Sequence, residues 1–455
     1  IMIGSMQMSA LAERLSARLS GGDAQFERVS TDTRSAQAGD LFVALKGERF
    51  DAHEFLDEAA DRGVCGLVVE TQAPGIALPQ LVVADSQAAL GELAAANRDR
   101  FEGPLVALTG SCGKTTVKTM LAAILVRLGN VLATHGNYNN HIGVPLTLLA
   151  LQAKHDFAVI EMGASGPGEI ASYCRWARPD ISLINNVMAA HIKGFGSLEG
   201  VARAKGEIYQ GLQPRGVGVI NLDEPYAPDW KGLLGERKQL TFSLNNPQAD
   251  CRVRAVTHRS SGSDFTLVTP IGEAQVKLQA PGEHQLRNAL AAACCALALG
   301  QTPEAIARGL ESFEPVAGRM SAQRGWGSAW IIDDSYNANP GSMLAAIEVL
   351  AAHPGQRFLV IGDMAELGEE APVMHRQVGE RARAKGIERL LTLGPLSAEA
   401  AKAFGPGASQ HESHQAVIDA LKGELGEASR VLIKGSRSAA MERVVQGLTG
   451  TGDQH

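Results

Sequence analysis

Thr109-Gly-Ser-Cys-Gly-Lys-Thr-Thr116 carries the sharpest chemical signal in the chain. It follows the apolar run Leu105-Val-Ala-Leu108 and opens a helical pattern over 116–128, the strand, glycine loop, helix order that a phosphate-binding loop requires. Across Thr109, Gly110, Ser111, Cys112, Gly113 and Thr116 the glycines let backbone N–H groups converge on phosphate oxygens. Lys114 can reach the β- and γ-phosphates, Thr115 can place a hydroxyl on Mg²⁺, and the helix N-terminus adds positive potential. The loop is shorter than the common G-x-x-x-x-G-K-[ST], with Gly110 only three residues before Gly113, which separates it from most kinases and GTPases. The Cys112 thiol is read as a bystander in this loop.

Glu161 closes the apolar run Ala158-Val-Ile-Glu161, and His191 follows the loop after the next run, Ile181-Ser-Leu-Ile184. Ligands gather beyond the carboxyl ends of strands in open α/β sheets. A carboxylate and an imidazole after successive strands beside a phosphate loop are therefore candidate metal ligands.

The elements that must position these groups form an α/β fold. The runs at 105–108, 157–161, 181–184 and 216–220 read as strands of a parallel sheet covered on both faces. Polar alternation over 245–272 predicts an antiparallel addition to that sheet. Ahead of it, short apolar runs at 40–45 and 66–70 around a helical stretch at 54–62 read as a small α/β unit. The pattern restarts near Pro315, with strands at 330–333, 358–361, 390–393 and 431–433 between Ala-rich helices. Three domains are expected: a small α/β domain at 6–85, a central P-loop-type domain with a mostly parallel sheet at 86–315, and a Rossmann-like domain at 316–455. Residues 1–5 are expected to lie outside the fold.

Composition narrows the class. The 455 residues carry 42 Lys+Arg against 49 Asp+Glu, a net charge of -7 without a basic block, which argues against duplex nucleic acid as a partner. The longest purely apolar run, 289–299, is too short to cross a bilayer. Six cysteines without a C-x-x-C pair fit free thiols in a reducing cytoplasm. Gly 50 beside aromatics at 5% asks where the glycines sit.

With the T-G-x-x-G-K-T loop stand Gly136-Asn-Tyr-Asn-Asn140, Ile142-Gly-Val-Pro145, Glu161-Met-Gly163, His191, Ala204-Lys-Gly-Glu207, Gly282-Glu-His284 with Asn288, Gly318-Arg319 and Asp333-Asp-Ser-Tyr-Asn-Ala-Asn-Pro340. In this order and spacing they resemble the Mur ligases, ATP-dependent amide-forming enzymes of peptidoglycan biosynthesis, over nearly the whole chain. The Asp-Asn-Pro-Arg signature with which one sister enzyme holds diaminopimelate is absent, and the last strand runs into Lys434-Gly-Ser-Arg-Ser-Ala-Ala-Met-Glu442. Both this and Asp334-Ser-Tyr-Asn-Ala-Asn-Pro340 resemble the members that add D-alanyl-D-alanine to UDP-N-acetylmuramoyl-tripeptide through an acyl phosphate. Ser30-Thr-Asp-Thr-Arg34 with Gly39-Asp-Leu-Phe-Val-Ala-Leu-Lys-Gly47 is similar to the UDP-sugar-binding domain of these members.

The resemblance implies roles. Lys114, Glu161, His191, Lys205 and Arg319 would be catalytic, with one Mg²⁺ on Thr115 and Glu161 and a second on His191 and on Lys205 as a carbamate. Arg319 would reach the γ-phosphate on closure of the C-terminal domain. Adenine would fall to Asn288, with His284 nearby and Asp334 on the ribose; Asn288 is also expected to begin a helix, where it could be a cap. Ser30, Thr31, Asp32, Arg34, Asn139 and Asn140 would bind the UDP-tripeptide, and Asn337, Asn339, Ser436 and Arg437 the dipeptide. A cytoplasmic monomer is implied, with roles in cell shape and division. The alternatives are a folylpolyglutamate-type ligase, which should lack the N-terminal pattern, and a P-loop protein that senses nucleotide without making a bond.

Overall fold

The computed structural model describes residues 1–47, 50–189, 192–259 and 261–450. Its centre is a six-stranded parallel sheet in the order Lys238–Phe242, Val217–Asn221, Ile181–Ile184, Leu105–Thr109, Phe157–Glu161, Val131–Ala133. Side chains of successive strand residues point to opposite faces, and both faces here are apolar. Ala107, Ile160, Ile184 and Ile220 join one core with helices Ser86–Arg98, Gly143–Leu149, Glu169–Ala177 and Leu198–Gln210. Val106, Leu108, Val159, Leu183 and Val219 join another with helices Lys114–Leu125, Glu283–Ala298 and Pro303–Glu311. The chain leaves Leu105–Thr109 for one side of the sheet and later returns to the other, so this strand ends at the point where the strand order reverses. Glu161 and Asn185 flank it there, in the crevice where such sheets bind ligands.

The antiparallel expectation holds in kind but not in place. Arg252–Arg259, Gly262–Thr269 and Gly272–Leu278 form a sheet of their own, joined to the parallel sheet by a bridge from Phe242 to Cys251. Phe265, Leu267, Val276 and Leu278 cover the second core instead, against the Ala-rich face of Glu283–Ala298. Small side chains on that helix let it lie close to both sheets.

The N-terminal sheet runs Arg18–Ser20, Gln80–Val82, Gly66–Val69, Leu41–Val43, Val29–Ser30. Residues 1–5 are part of this packing, contrary to expectation. Met2 is buried and its N–H donates to the Glu27 carbonyl, while Ile3 N–H donates to the Asn97 side chain. The predicted helix at 54–62 divides into a 3₁₀ turn, Ala52–Phe55, and a helix, Leu56–Asp61.

The C-terminal sheet runs Ser321–Arg324, Trp330–Asp334, Ser429–Lys434, Gln356–Gly362, Arg389–Leu393, Ala408–His411, parallel except for the first strand. Ile332, Leu359, Ile361 and Leu432 face one core, and Ile331, Phe358, Val360 and Ile433 the other. Among the described residues no helix is long and apolar enough to cross a membrane.

Candidate active site

The phosphate loop leaves the sheet at Thr109, which is buried with its hydroxyl unpartnered. The helix begins at Lys114, two residues before the sequence pattern suggests, with Gly113 in the left-handed region at φ +74°. A side chain there would collide with the Asn185 and Asn288 amides. These asparagines belong to a network that holds the loop. Asn186 Oδ1 accepts from Cys112 N–H at 2.9 Å, Asn185 Nδ2 donates to the Cys112 carbonyl at 3.1 Å, and Ser111 N–H donates to the Asn186 carbonyl at 3.0 Å. Cys112 is held as a thiol, its pKa raised by burial. Lys114 folds back onto the Gly110 carbonyl at 2.9 Å; burial lowers its pKa, with Glu161 opposing and Arg319 adding to the shift.

Glu161 is buried beneath this loop. Its Oε2 accepts from Thr115 Oγ1 at 3.0 Å and lies 3.5 Å from Lys118 Nζ, and its Oε1 accepts from Asn139 Nδ2 at 2.8 Å. Helix Leu198–Gln210 brings Lys205 to the same cavity with only 4% of its surface exposed. The lysine has no hydrogen-bond or ion-pair partner among the described residues. Burial, helped by the Lys114 charge, lowers its pKa to about 7, so near neutrality much of it is an uncharged amine.

The far wall of the cavity, about 620 Å³ in volume, comes from the C-terminal sheet. Arg319 lies 4.0 Å over the Tyr336 ring, between Gly318 and Met320, both in the left-handed region. Asp334 ends a strand and pairs with buried Lys434 at 2.6 Å; burial raises its pKa while Lys434 opposes the rise. Asn339 caps helix Pro340–Ala352 and also reaches the phosphate loop, its Nδ2 donating to the Ser111 carbonyl at 3.4 Å. Behind it, Gly341 lies against Met188.

His284 and Asn288 line the same cavity. Burial, with Lys434 and Arg287 nearby, lowers the His284 pKa to about 4, which keeps the ring neutral. Asn288 does not begin its helix: Glu283–Ala298 starts five residues earlier. Instead of capping, its Oδ1 accepts from Asn185 at 2.8 Å and its Nδ2 donates to Gln285 at 3.1 Å.

Of the residues singled out from sequence, the cavity wall contains Gly110, Ser111, Cys112, Gly113, Lys114, Thr116, Asn139, Asn140, Glu161, Lys205, His284, Asn288, Arg319, Asp334, Asn337 and Asn339. Thr115 joins through Glu161. His191 lies outside the described residues. Ser30, Thr31, Asp32 and Arg34 belong to the N-terminal sheet region and not to this wall; Asp32 is occupied by a bidentate pair with exposed Arg34. Ser436 is buried and shares a hydrogen bond with Ser438, while exposed Arg437 pairs with Glu442, so neither forms part of the wall.

Sequence reasoning missed Lys118, Asn185, Asn186, Arg287 and Lys434 as members or supports of the site. Lys118 carried a signal, four residues after Lys114 and thus on the same helix face. The asparagine pair sits at the end of a recognised strand. Lys434 entered only as the first residue of the C-terminal signature, without a role of its own. Among the described residues no three His, Cys, Asp or Glu side chains gather as a metal cage.

Residues 108–296 match the family model for the Mur ligase middle domain, and residues 318–437 that for the Mur ligase, glutamate ligase domain. A UDP-N-acetylmuramoyl-tripeptide–D-alanyl-D-alanine ligase of Escherichia coli (strain K12) is 48% identical over 450 residues, covering 98% of this chain and 99% of that protein. A crystal structure of MurF from Acinetobacter baumannii superposes with a TM-score of 0.92 at 33% identity, over 98% of this chain and 99% of that one. The MurF ligase of Thermotoga maritima, in complex with ADP, gives a TM-score of 0.84 at 30% identity, over 92% and 96% of the two chains.

Proposed function

The chain belongs to the Mur ligase family, and from that premise we propose how its residues divide the work of ligation. It is an ATP-dependent, ADP-forming ligase that joins D-alanyl-D-alanine to UDP-N-acetylmuramoyl-tripeptide for peptidoglycan biosynthesis. The observation that carries the division is the cavity itself, with a phosphate loop and buried Glu161 and Lys205 on one wall and the 334–339 segment on the other. Amide formation from a carboxylate is uphill in water, so ATP first converts the tripeptide carboxylate to an acyl phosphate, and the dipeptide amine then displaces phosphate.

The obstacle is charge. Two unit charges 4 Å apart repel by ~4 kcal/mol at an effective dielectric of 20. Lys114 on the phosphates and Arg319 on the γ-phosphoryl oxygens offset that repulsion and stabilise charge in flight. The Thr115 hydroxyl and Glu161 carboxylate form the kind of oxygen pair a hard cation takes, leaving phosphate and water to complete its shell. When bound there, Mg²⁺ would screen the phosphates. A second ion is assigned to His191 and to Lys205 as a carbamate. Lys205 supports this reading because it is buried, has no hydrogen-bond or ion-pair partner among the described residues and is about half neutral near pH 7, so its amine can take up CO₂ with release of a proton and become an anion able to hold a cation. Asn288 and His284 are assigned to adenine, Asp334 to the ribose, and Asn337 and Asn339 to the dipeptide. Ser436 and Arg437 are assigned to the dipeptide as well, Arg437 lying 5.8 Å from the Tyr336 ring of that segment. Residues 6–85, with Ser30, Thr31, Asp32 and Arg34, are assigned to the UDP end, and Asn139 and Asn140 to the tripeptide.

Phosphate release from ATP, measured with the UDP-tripeptide and each candidate amine, tests the reading. Release is expected with D-alanyl-D-alanine; an equal rate with a single amino acid would overturn it.

A further inference from the structure

Lys118 sits one helical turn past Lys114, and its side chain is buried behind the cavity rather than in its wall. Its ammonium donates to the Thr134 carbonyl at 2.6 Å and lies 3.4 Å from the Gly136 carbonyl and 3.5 Å from Oε2 of Glu161. Those carbonyls open the segment that ends in Asn139 and Asn140. The segment is bound to Glu161 a second time, through Asn139 Nδ2 at 2.8 Å, and to the chain just beyond it, where Gly163 N–H donates to the Asn139 carbonyl at 2.7 Å. Glu161 N–H in turn donates to Thr134 Oγ1 at 2.9 Å. One ammonium therefore ties the phosphate-loop helix, the carboxylate and the asparagine segment together. Burying a cation is costly unless it is paired and hydrogen-bonded, and an apolar side chain would fill the same space without that cost.

We propose that Lys118 is a positioning residue for the ligation, anchoring the 134–140 segment for the UDP-tripeptide while competing with a metal cation for Glu161. The inference rests on the reading of Glu161 as a Mg²⁺ ligand. It has a signature that general loosening of the fold cannot imitate. Removing the charge frees Glu161, so less Mg²⁺ is needed; removing the donor frees the segment, so the tripeptide binds more weakly. The two constants move in opposite directions.

The test uses the full chain and three variants. Mg²⁺-dependent binding of a fluorescent ATP analogue, without peptide substrate, gives the half-saturating Mg²⁺ concentration; phosphate release gives KM for the UDP-tripeptide. For Lys118→Met the Mg²⁺ requirement is expected to fall about threefold or more and the tripeptide KM to rise about tenfold. Lys118→Gln, which keeps a donor for the Thr134 carbonyl but no charge, should show the fall in Mg²⁺ requirement with a much smaller rise in KM, and it serves if the methionine variant does not fold. Unchanged constants, or both weakening together with a lower melting temperature, would overturn the proposal. Glu161→Gln separates the two levels: if it leaves the Mg²⁺ dependence unaltered, the metal-ligand reading fails, whereas a large shift there with none at Lys118 refutes only the role of Lys118.

Discussion

Single residues at this site are defined by what surrounds them more than by their type. Lys205 is one of many lysines in the sequence, and its burial without a partner among the described residues, beside the Lys114 charge, makes it an amine poised near pH 7. Lys205→Ala is expected to lower turnover at least ~10²-fold while ATP-analogue binding persists. Short carboxylic acids added to that variant should restore part of the rate, and an absence of loss on substitution would refute the carbamate role. Arg319, stacked on Tyr336, should matter to turnover more than to affinity: Arg319→Ala is expected to cost ~10²-fold or more in kcat with little change in ATP binding. His284 links the site to stability. Its ring stays neutral in the fold down to pH about 4, whereas an exposed histidine takes up a proton near 6.5. The unfolded chain therefore binds more protons between those values, and stability falls as pH drops through that window. Melting temperatures at pH 7 and pH 5 should differ less for His284→Asn than for the unsubstituted protein.

At the level of elements, the strand, glycine loop, helix order was legible because each part has its own local chemistry. Apolar runs made the inner parallel strands visible because both their faces are buried, with Ser182 the polar exception, whereas the less buried outer strands Val131–Ala133 and Lys238–Phe242 did not stand out. What stayed hidden depends on contacts distant in sequence. Asn185 and Asn186 hold the Cys112 peptide from up to 74 positions away, and nothing local marks them; Asn288, legible through its motif, reaches this network only by accepting from Asn185. The helical role of Asn288 was misjudged because the preceding Glu-His-Gln-Leu-Arg is polar enough to read as loop. The polar alternation at 245–272 was legible as antiparallel, but pairing partners are not encoded in alternation alone, and the strands at 252–278 form a sheet of their own. Gly113 shows the coupling most directly, since its backbone conformation and the asparagine amides both exclude a side chain. Gly113→Ala is expected to weaken ATP-analogue binding at least ~10-fold, from a left-handed strain of about 1 to 2 kcal/mol plus the displaced amides. Isothermal titration with the analogue would check it.

Across the whole molecule, the site exists only because two sheets face each other. Asn339 touches the phosphate loop and Gly341 lies against Met188, so close that a Cβ on it would fall 2.3 Å from the Met188 sulfur. Gly341→Val should hold these walls apart, and kcat/KM for the dipeptide is expected to fall at least ~10-fold with ATP-analogue binding largely kept. An equal loss in both would place the defect in the loop instead.

The order of the C-terminal strands also sets a schedule for synthesis. Ser429–Lys434, the last strand among the described residues, lies inside its sheet, between Trp330–Asp334 and Gln356–Gly362. Until the ribosome has released it, both neighbours present bare edges, and Asp334 lacks the lysine that neutralises it. A chain cut short by even the final tenth would therefore leave an adhesive half-sheet beside a complete phosphate loop. Such an unpaired edge is the kind of surface through which incomplete chains aggregate.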